Sequence, residues 1–266
     1  MRRVVLVLTT MALAILLAGG VAQAIINGEP DRSPNAHPYV GALVSVPTSG
    51  EFKGQRIPLC SGTLISPRVF LTAGHCTDFL MKEDLPTYVS FDPTYKPGAS
   101  KVLKATPHTH PKFCISAQEG CLRYDAGVAV LEEPVRRATY GALPEAGLVE
   151  TLKEGQRQTT VGYGTTGYQA YPADRYSATV RLLNTKDPAV GEMFVKTTGV
   201  SLIKGKGEAP CYGDSGGPLF VGDQQTIVGV VSHGSNIARY ARACRGPVYY
   251  QRVDLPRVLK WVRSFP

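Results

Sequence analysis

Apolar residues come in short runs along most of the chain, each closed by Gly, Pro, Ser, Asn or Asp. The stretches 39–46, 59–65, 69–72, 128–131, 159–161, 179–183, 226–231 and 248–253 have the length and β-branched content of strands. Ser66-Pro67-Arg68 is a turn between the second and third of them. Many short strands without intervening amphipathic helices point to an all-β barrel or sandwich and exclude βαβ units. One helix is predicted, over 254–264. There Leu255, Val258, Leu259 and Val262 repeat at helical spacing, Asp254 is the expected N-cap, Pro256 suits the first turn, and Trp261 can pack beside the stripe.

The first residues follow another pattern. Met1-Arg2-Arg3 is a short basic start, residues 4–18 are apolar and uncharged, and Ala22-Gln23-Ala24 puts small residues where a signal peptidase reads. The layout predicts a secretory signal over 1–24, cut after Ala24, rather than an uncleaved anchor, and the general export route, since the Arg pair lacks the rest of a twin-arginine signature. The mature chain is then 25–266, secreted, with no stable membrane association.

Composition agrees with a turn-rich exported chain: 28 Gly and 20 Pro among 266 residues, and 43% hydrophobic residues to build a core. The six cysteines, Cys60, Cys76, Cys114, Cys121, Cys211 and Cys244, read as disulfide-forming in an exported protein, with the connectivity left open. None sits in a CxxC pair, and only His75 neighbours a cysteine, so no metal site and no cofactor are expected. The formal charge of +8 includes two from Arg2 and Arg3. The other basic residues are scattered apart from groups at Arg136-Arg137 and Arg239 to Arg245, which gives a solvated surface and no nucleic-acid motif. No Asn-x-Ser/Thr sequon occurs, and nothing demands more than a monomer.

Three segments carry candidate chemistry. In Cys211-Tyr212-Gly213-Asp214-Ser215-Gly216-Gly217-Pro218, glycines flank a serine. Such a turn exposes the hydroxyl and lets the N–H groups of Gly213 and Ser215 converge on one oxyanion. A serine is a poor nucleophile without a base, and Thr72-Ala73-Gly74-His75-Cys76 supplies one at what reads as a strand end. Of the five histidines, His37, His108, His110 and His233 have no such context. The third segment, 124–131, opens an apolar strand with Asp125. A carboxylate entering a core needs a partner, and an imidazole N–H is one.

The order His75, Asp125, Ser215, with Thr-Ala-Gly-His-Cys and Gly-Asp-Ser-Gly-Gly-Pro around two of them, resembles the chymotrypsin/trypsin family of serine proteases. Ile25-Ile26-Asn27-Gly28 is similar to that family's mature N-terminus, Cys60 to Ile65 to the strand before the histidine, and Gly162-Tyr163-Gly164 to its Gly-Trp-Gly. Val231-Ser232-His233-Gly234-Ser235 is similar to the substrate-binding strand, with His for Trp. The resemblance implies two antiparallel six-stranded β-barrels, near 25–140 and 141–250, with the site between them. It implies the disulfides Cys60–Cys76 and Cys211–Cys244, leaving Cys114–Cys121 to close a small loop before Asp125. It also implies protein or peptide substrates and an ion pair between a freed Ile25 amine and Asp214. The primary pocket is expected to be formed by Ala209 at its base with Ser232, Gly234 and Val248. Without a carboxylate it would take small or medium apolar side chains, with aromatic ones as the alternative, rather than Lys or Arg. Two rivals are a catalytically silent homologue that binds proteins and a serine hydrolase of another fold. The triad order opposes the latter, since α/β-hydrolases run Ser, acid, His.

Overall fold

The structure is a computed structural model that describes residues 25–31, 36–116, 121–165, 173–184, 192–201, 204–222, 225–234 and 244–266. The expected signal over 1–24, Ser235 and the basic group from Arg239 up to 243 lie outside the described residues. No helix among the described residues is long and apolar enough to cross a membrane.

Six strands form the first barrel: β1 (Val40–Ser45), β2 (Ile57–Leu64), β3 (Val69–Thr72), β4 (Thr87–Ser90), β5 (Leu103–Thr109) and β6 (Gly127–Leu131). All neighbours are antiparallel, in the order β6-β3-β2-β1-β4-β5, and β5 closes the ring on β6 through Ala129 opposite Pro107. Six more form the second: β7 (Arg157–Gly162), β8 (Tyr176–Asn184), β9 (Phe194–Thr197), β10 (Pro218–Val221), β11 (Thr226–Gly234) and β12 (Val248–Arg252). Their order is β8-β7-β10-β11-β12-β9, and the pairing of β8 with β9 closes that ring. Closure removes the unpaired edges an open sheet would expose.

Leu43, Leu64, Phe70, Leu71, Val89, Val128 and Leu131 fill the first barrel, and Val180, Leu182, Val195, Leu219, Val228 and Tyr250 the second. Val161, Phe220, Ile227 and Val230 belong to second-barrel strands yet join the first core, so the barrels are packed together along one side. The strands missing from the sequence reading are β4, β5, β9 and β10. β5 is mostly half-exposed and carries Pro107, and β9 has only four residues, so neither shows a clean alternation.

Two α-helices are present among the described residues, besides a short 3-10 helix at Leu148–Thr151. α1 (Gly74–Lys82) follows β3 directly, with Phe79 and Met81 exposed and Leu80 buried, a pattern that hides its amphipathicity. α2 (Pro256–Val262) buries Val258, Leu259 and Val262 as their spacing implies. Its N-cap is Leu255 with no side-chain cap bond, not Asp254. The Asp254 carboxylate is used elsewhere: it accepts the Val149 N–H at 2.9 Å and pairs with the buried Arg252 at 2.8 Å. That anchors the inter-barrel connection instead of capping the helix.

Candidate active site

His75 does not end a strand. It lies in the first turn of α1, because Gly74 opens the helix where a Cβ would stand 3.0 Å from Ala126 N. The helix start is thereby pressed against the Tyr124-Asp125-Ala126 turn. In that turn Tyr124 has a left-handed φ of 52° and Ala126 donates back to the Tyr124 carbonyl at 2.7 Å, which turns Asp125 inward. The Gln251 side chain of β12 accepts the Asp125 N–H at 2.8 Å.

The fully buried Asp125 carboxylate accepts the His75 backbone N–H at 2.7 Å, His75 Nδ1 at 2.9 Å and the Ser232 hydroxyl at 2.5 Å. A carboxylate only accepts, so Nδ1 carries the proton and Nε2 of His75 is left as a base. The His75 side chain remains 27% exposed, which is what allows a reactant to reach it. Burial pushes the Asp125 pKa up, but the charge and hydrogen bond of His75, with the Ser232 hydroxyl, outweigh it and hold the carboxyl below the usual carboxylate range. Burial likewise pulls His75 down, and the Asp125 charge and bond outweigh it, holding the imidazole above the ordinary histidine value of 6.5.

Ser215 sits on the 211–217 turn, which is anchored to the first barrel. Ser61 donates its N–H to the Ser215 carbonyl at 2.8 Å and its hydroxyl to the Gly213 carbonyl at 2.9 Å, and Cys76, beside His75, has its sulfur 3.9 Å from the Ser215 carbonyl. Gly216 has φ 80°, and a Cβ there would come within 2.1 Å of Thr72 Oγ1, so only glycine fits. The N–H groups of Asp214, Gly216 and Gly217 are bonded within the protein. Those of Gly213 and Ser215 have no acceptor among the described residues and are free to receive a developing negative charge.

A pocket of about 320 Å³ opens beside Ser215. Ser232, Gly234 and Val248 line it, with His233, Tyr212 and Arg245. Ala209 does not: it is fully buried in the second barrel's core with Val200 and Val248, and its neighbours Pro210 and Cys211 line the pocket instead. Ala209 is held there by exchanging backbone bonds with Ile26, at 2.9 and 3.3 Å. No described lining residue is acidic.

Asp214 points away from the pocket. Its carboxylate is buried and accepts the N–H groups of Gly164 and Cys211, each at 2.8 Å. Side chains at positions 162 and 164 would collide with it, which accounts for the Gly-Tyr-Gly segment. With no cation beside it among the described residues, burial pushes the Asp214 pKa up to about 8 despite those two bonds. The segment from Ile25 is built into the second barrel: Ile25 is buried, Glu29 and Pro30 pair with Ser177 and Tyr176, and the Asn27 amide donates to Gly207 at 2.7 Å.

The disulfides are Cys60–Cys76, Cys114–Cys121 and Cys211–Cys244. Cys60, Cys76 and His75 bring potential ligand atoms within 4.8 Å of one another. The two sulfurs are joined to each other and offer no thiolate to a metal.

Sequence reasoning missed the supports of this site. Ser61 and Gln251 lie in strands with nothing local to mark them. Nor does any motif mark Asp31, His37 and Arg175, which form a second buried cluster: Asp31 Oδ2 accepts Arg175 Nε at 2.7 Å and His37 Nδ1 at 3.1 Å.

Two closed barrels with a His–Asp pair and a serine turn at their junction define a class, and comparison with known proteins agrees. The family model described as Trypsin matches residues 25–262, and the chain belongs to that family. A trypsin from Saccharopolyspora erythraea is 29% identical over 86% of this chain and 93% of its own length. Spermosin from Halocynthia roretzi is 30% identical over 80% of this chain and 56% of its own. Among solved structures, one described as HL collagenase superposes with a TM-score of 0.67 at 21% identity, covering 90% of this chain and 97% of that one, which supports the fold.

Proposed function

We propose that the chain is an active secreted serine endopeptidase, with Ser215 as nucleophile, His75 as general base and Asp125 as the carboxylate that orients it. The observation that carries this is a partly exposed imidazole, its Nδ1–H held by a buried carboxylate and its neighbour Cys76 lying against the Ser215 turn, together with the Gly213 and Ser215 N–H groups, which have no acceptor among the described residues, in a family of proteases. His75 takes the Ser215 proton as the hydroxyl attacks a peptide carbonyl. The Gly213 and Ser215 N–H groups hold the oxyanion, His75 returns the proton to the leaving amine, and water then hydrolyses the acyl-enzyme by the same route. A silent, protein-binding homologue is disfavoured because no triad residue is lost. Digestion of an unfolded protein by wild type, and none by Ser215→Ala, supports the reading; equal digestion by both overturns it.

Removal of the signal would itself create the active N-terminus. A cut after Ala24 frees the Ile25 amine within a segment already stitched to the 204–210 region by Ile26 and Asn27. Asp214 is a buried carboxylate with no cation beside it among the described residues, and an amine there would ionise it and order the turn that carries Gly213 and Ser215. Breaking such a pair from one side costs about 3–5 kcal/mol. N-terminal sequencing of the exported protein that starts at any residue but Ile25 overturns this. The pocket, lined by Val248 and with no acidic side chain among its described lining residues, favours small or medium apolar side chains before the cut, and Arg245 at its wall further disfavours Lys or Arg. A peptide-library digest dominated by cuts after Lys or Arg overturns that preference.

A further inference from the structure

His233 occupies the place where the resembled family carries Trp, and the proposed reaction leaves it without a role. Its ring lies parallel to Tyr249, centroids 4.7 Å apart and 3° between planes, with the edge of Phe194 at 5.1 Å. That clamp fixes the imidazole with Nδ1 3.1 Å from Ser232 Oγ. Ser232 Oγ stands 2.5 Å from the Asp125 carboxylate, which has no proton to give, so the hydroxyl proton points at Asp125. The Ser232 oxygen is then an acceptor toward His233, and Nδ1 of His233 carries a proton. Nε2 of His233 has no partner among the described residues, so Ser232 is the ring's one hydrogen-bonded anchor there.

We propose that His233 is a positioning residue: by donating Nδ1–H to Ser232 it holds that hydroxyl on Asp125, and through Asp125 sets the basicity of His75. The inference deepens the protease reading above and rests on it. Bonds in such a chain polarise one another, so a donor on Ser232 makes its O–H a better donor to the carboxylate. The stabilised carboxylate pulls less strongly on the His75 proton. The titratable and charged groups around the ring are Asp125 and His75 beyond Ser232, Tyr249 beneath it, and Lys196, whose ammonium lies 5.5 Å from the Tyr249 ring centre. Burial lowers the His233 pKa to about 4, with the Asp125 charge opposing and that of His75 adding to the shift. The ring is therefore neutral wherever His75 can act as a base, and a neutral ring with its proton on Nδ1 suits the arrangement.

The test needs no known substrate: the probe is a fluorophosphonate, and the readout is its inactivation rate against pH for the mature protein. His233→Phe keeps an aromatic ring between Tyr249 and Phe194 but removes the donor. The rate is expected to fall about 3- to 10-fold, a hydrogen bond's worth, and the acidic limb of the profile to move up by about half a pH unit as His75 becomes more basic. His233→Asn, whose amide reaches the Nδ1 position, should recover most of both. In a Ser232→Ala background the Phe change should add nothing, because no hydroxyl is left to position. Melting curves accompany each variant, and if Phe unfolds the protein, His233→Gln, with its amide out at the Nε2 position, tests the same loss. An unchanged rate and limb in the Phe or Gln variant, an Asn variant no better than Phe, or additive effects with Ser232→Ala each overturn the inference. Labelled wild type with any of these sinks the inference alone, whereas unlabelled wild type sinks the protease reading with it.

Discussion

Among the described residues are two Asp–His pairs of nearly the same geometry and opposite character, each built on a buried carboxylate. In one, Asp125 meets His75 Nδ1 at 2.9 Å; in the other, Asp31 meets His37 Nδ1 at 3.1 Å. The difference lies in what else touches each pair. Asp125 faces a hydroxyl and a backbone N–H, so its charge is directed at His75, which is 27% exposed on its far side. Asp31 is already neutralised by Arg175, a fully buried guanidinium that also donates to the carbonyls of Asp31 and Val40 and to the Tyr163 hydroxyl. His37 is 4% exposed, stacked on Phe220 at 5.5 Å, with Nε2 buried and unbonded. In the proposed reaction one pair passes a proton to a visitor. The other fastens the N-terminal segment to the strand at Tyr176, where Asp31 also donates its N–H to the Arg175 carbonyl at 2.8 Å. An Asp–His contact is therefore no sign of catalysis until the second ring nitrogen is open to solvent and the carboxylate has no competing cation.

Substitutions separate the two roles. The largest effect is expected at the reactive pair. Ser215→Ala or His75→Ala should lower kcat by about 10⁴-fold or more, as for other serine triads, with little change in melting temperature, measured by initial rates and thermal unfolding. Next, Asp31→Asn leaves Arg175 buried without its carboxylate. It should destabilise the protein by about 3–5 kcal/mol and lower Tm by roughly 10 °C, while kcat of the folded protein changes by less than about threefold. A kcat loss as large as that of His75→Ala would erase the distinction.

A smaller effect concerns pH. Burial pushes the Asp31 pKa up, but the His37 bond and the Arg175 charge outweigh it and hold the carboxyl below its ordinary value of 3.8. Its contribution to stability is thus present above that value and lost as pH falls through the lower folded one. Urea unfolding between about pH 5 and 2 should show a shallower acid loss in Asp31→Asn than in wild type. Ser232→Ala, which removes one donor from Asp125, should cost only about 3- to 10-fold in rate and little stability.

The two pairs also differ in how far they could be read from the chain. His75, Asp125 and Ser215 stand in segments whose glycines and cysteines are needed locally, so the chemistry leaves marks around each residue. Asp31 and Arg175 are 144 positions apart, and their contact is set by how the N-terminal segment docks on β8, which no local pattern records. The same reasoning covers Gln251 behind Asp125 and the removal of Ala209 from the pocket wall: both depend on how separate strands meet when the second barrel closes. Strands with strong apolar runs were legible, while β5 and β9 took their place from ring closure, and α1 from a glycine that lets His75 lie against Asp125.

The most direct test of the central claim is to label the mature protein with a fluorophosphonate and locate the adduct by mass spectrometry as a function of pH. The proposed reaction requires a neutral His75 to take the proton, and the pKa of this residue is held above 6.5. The account predicts one adduct, on Ser215, whose rate of formation rises as pH increases through that raised value. No adduct, an adduct on another serine, or a rate on Ser215 indifferent to pH would contradict it.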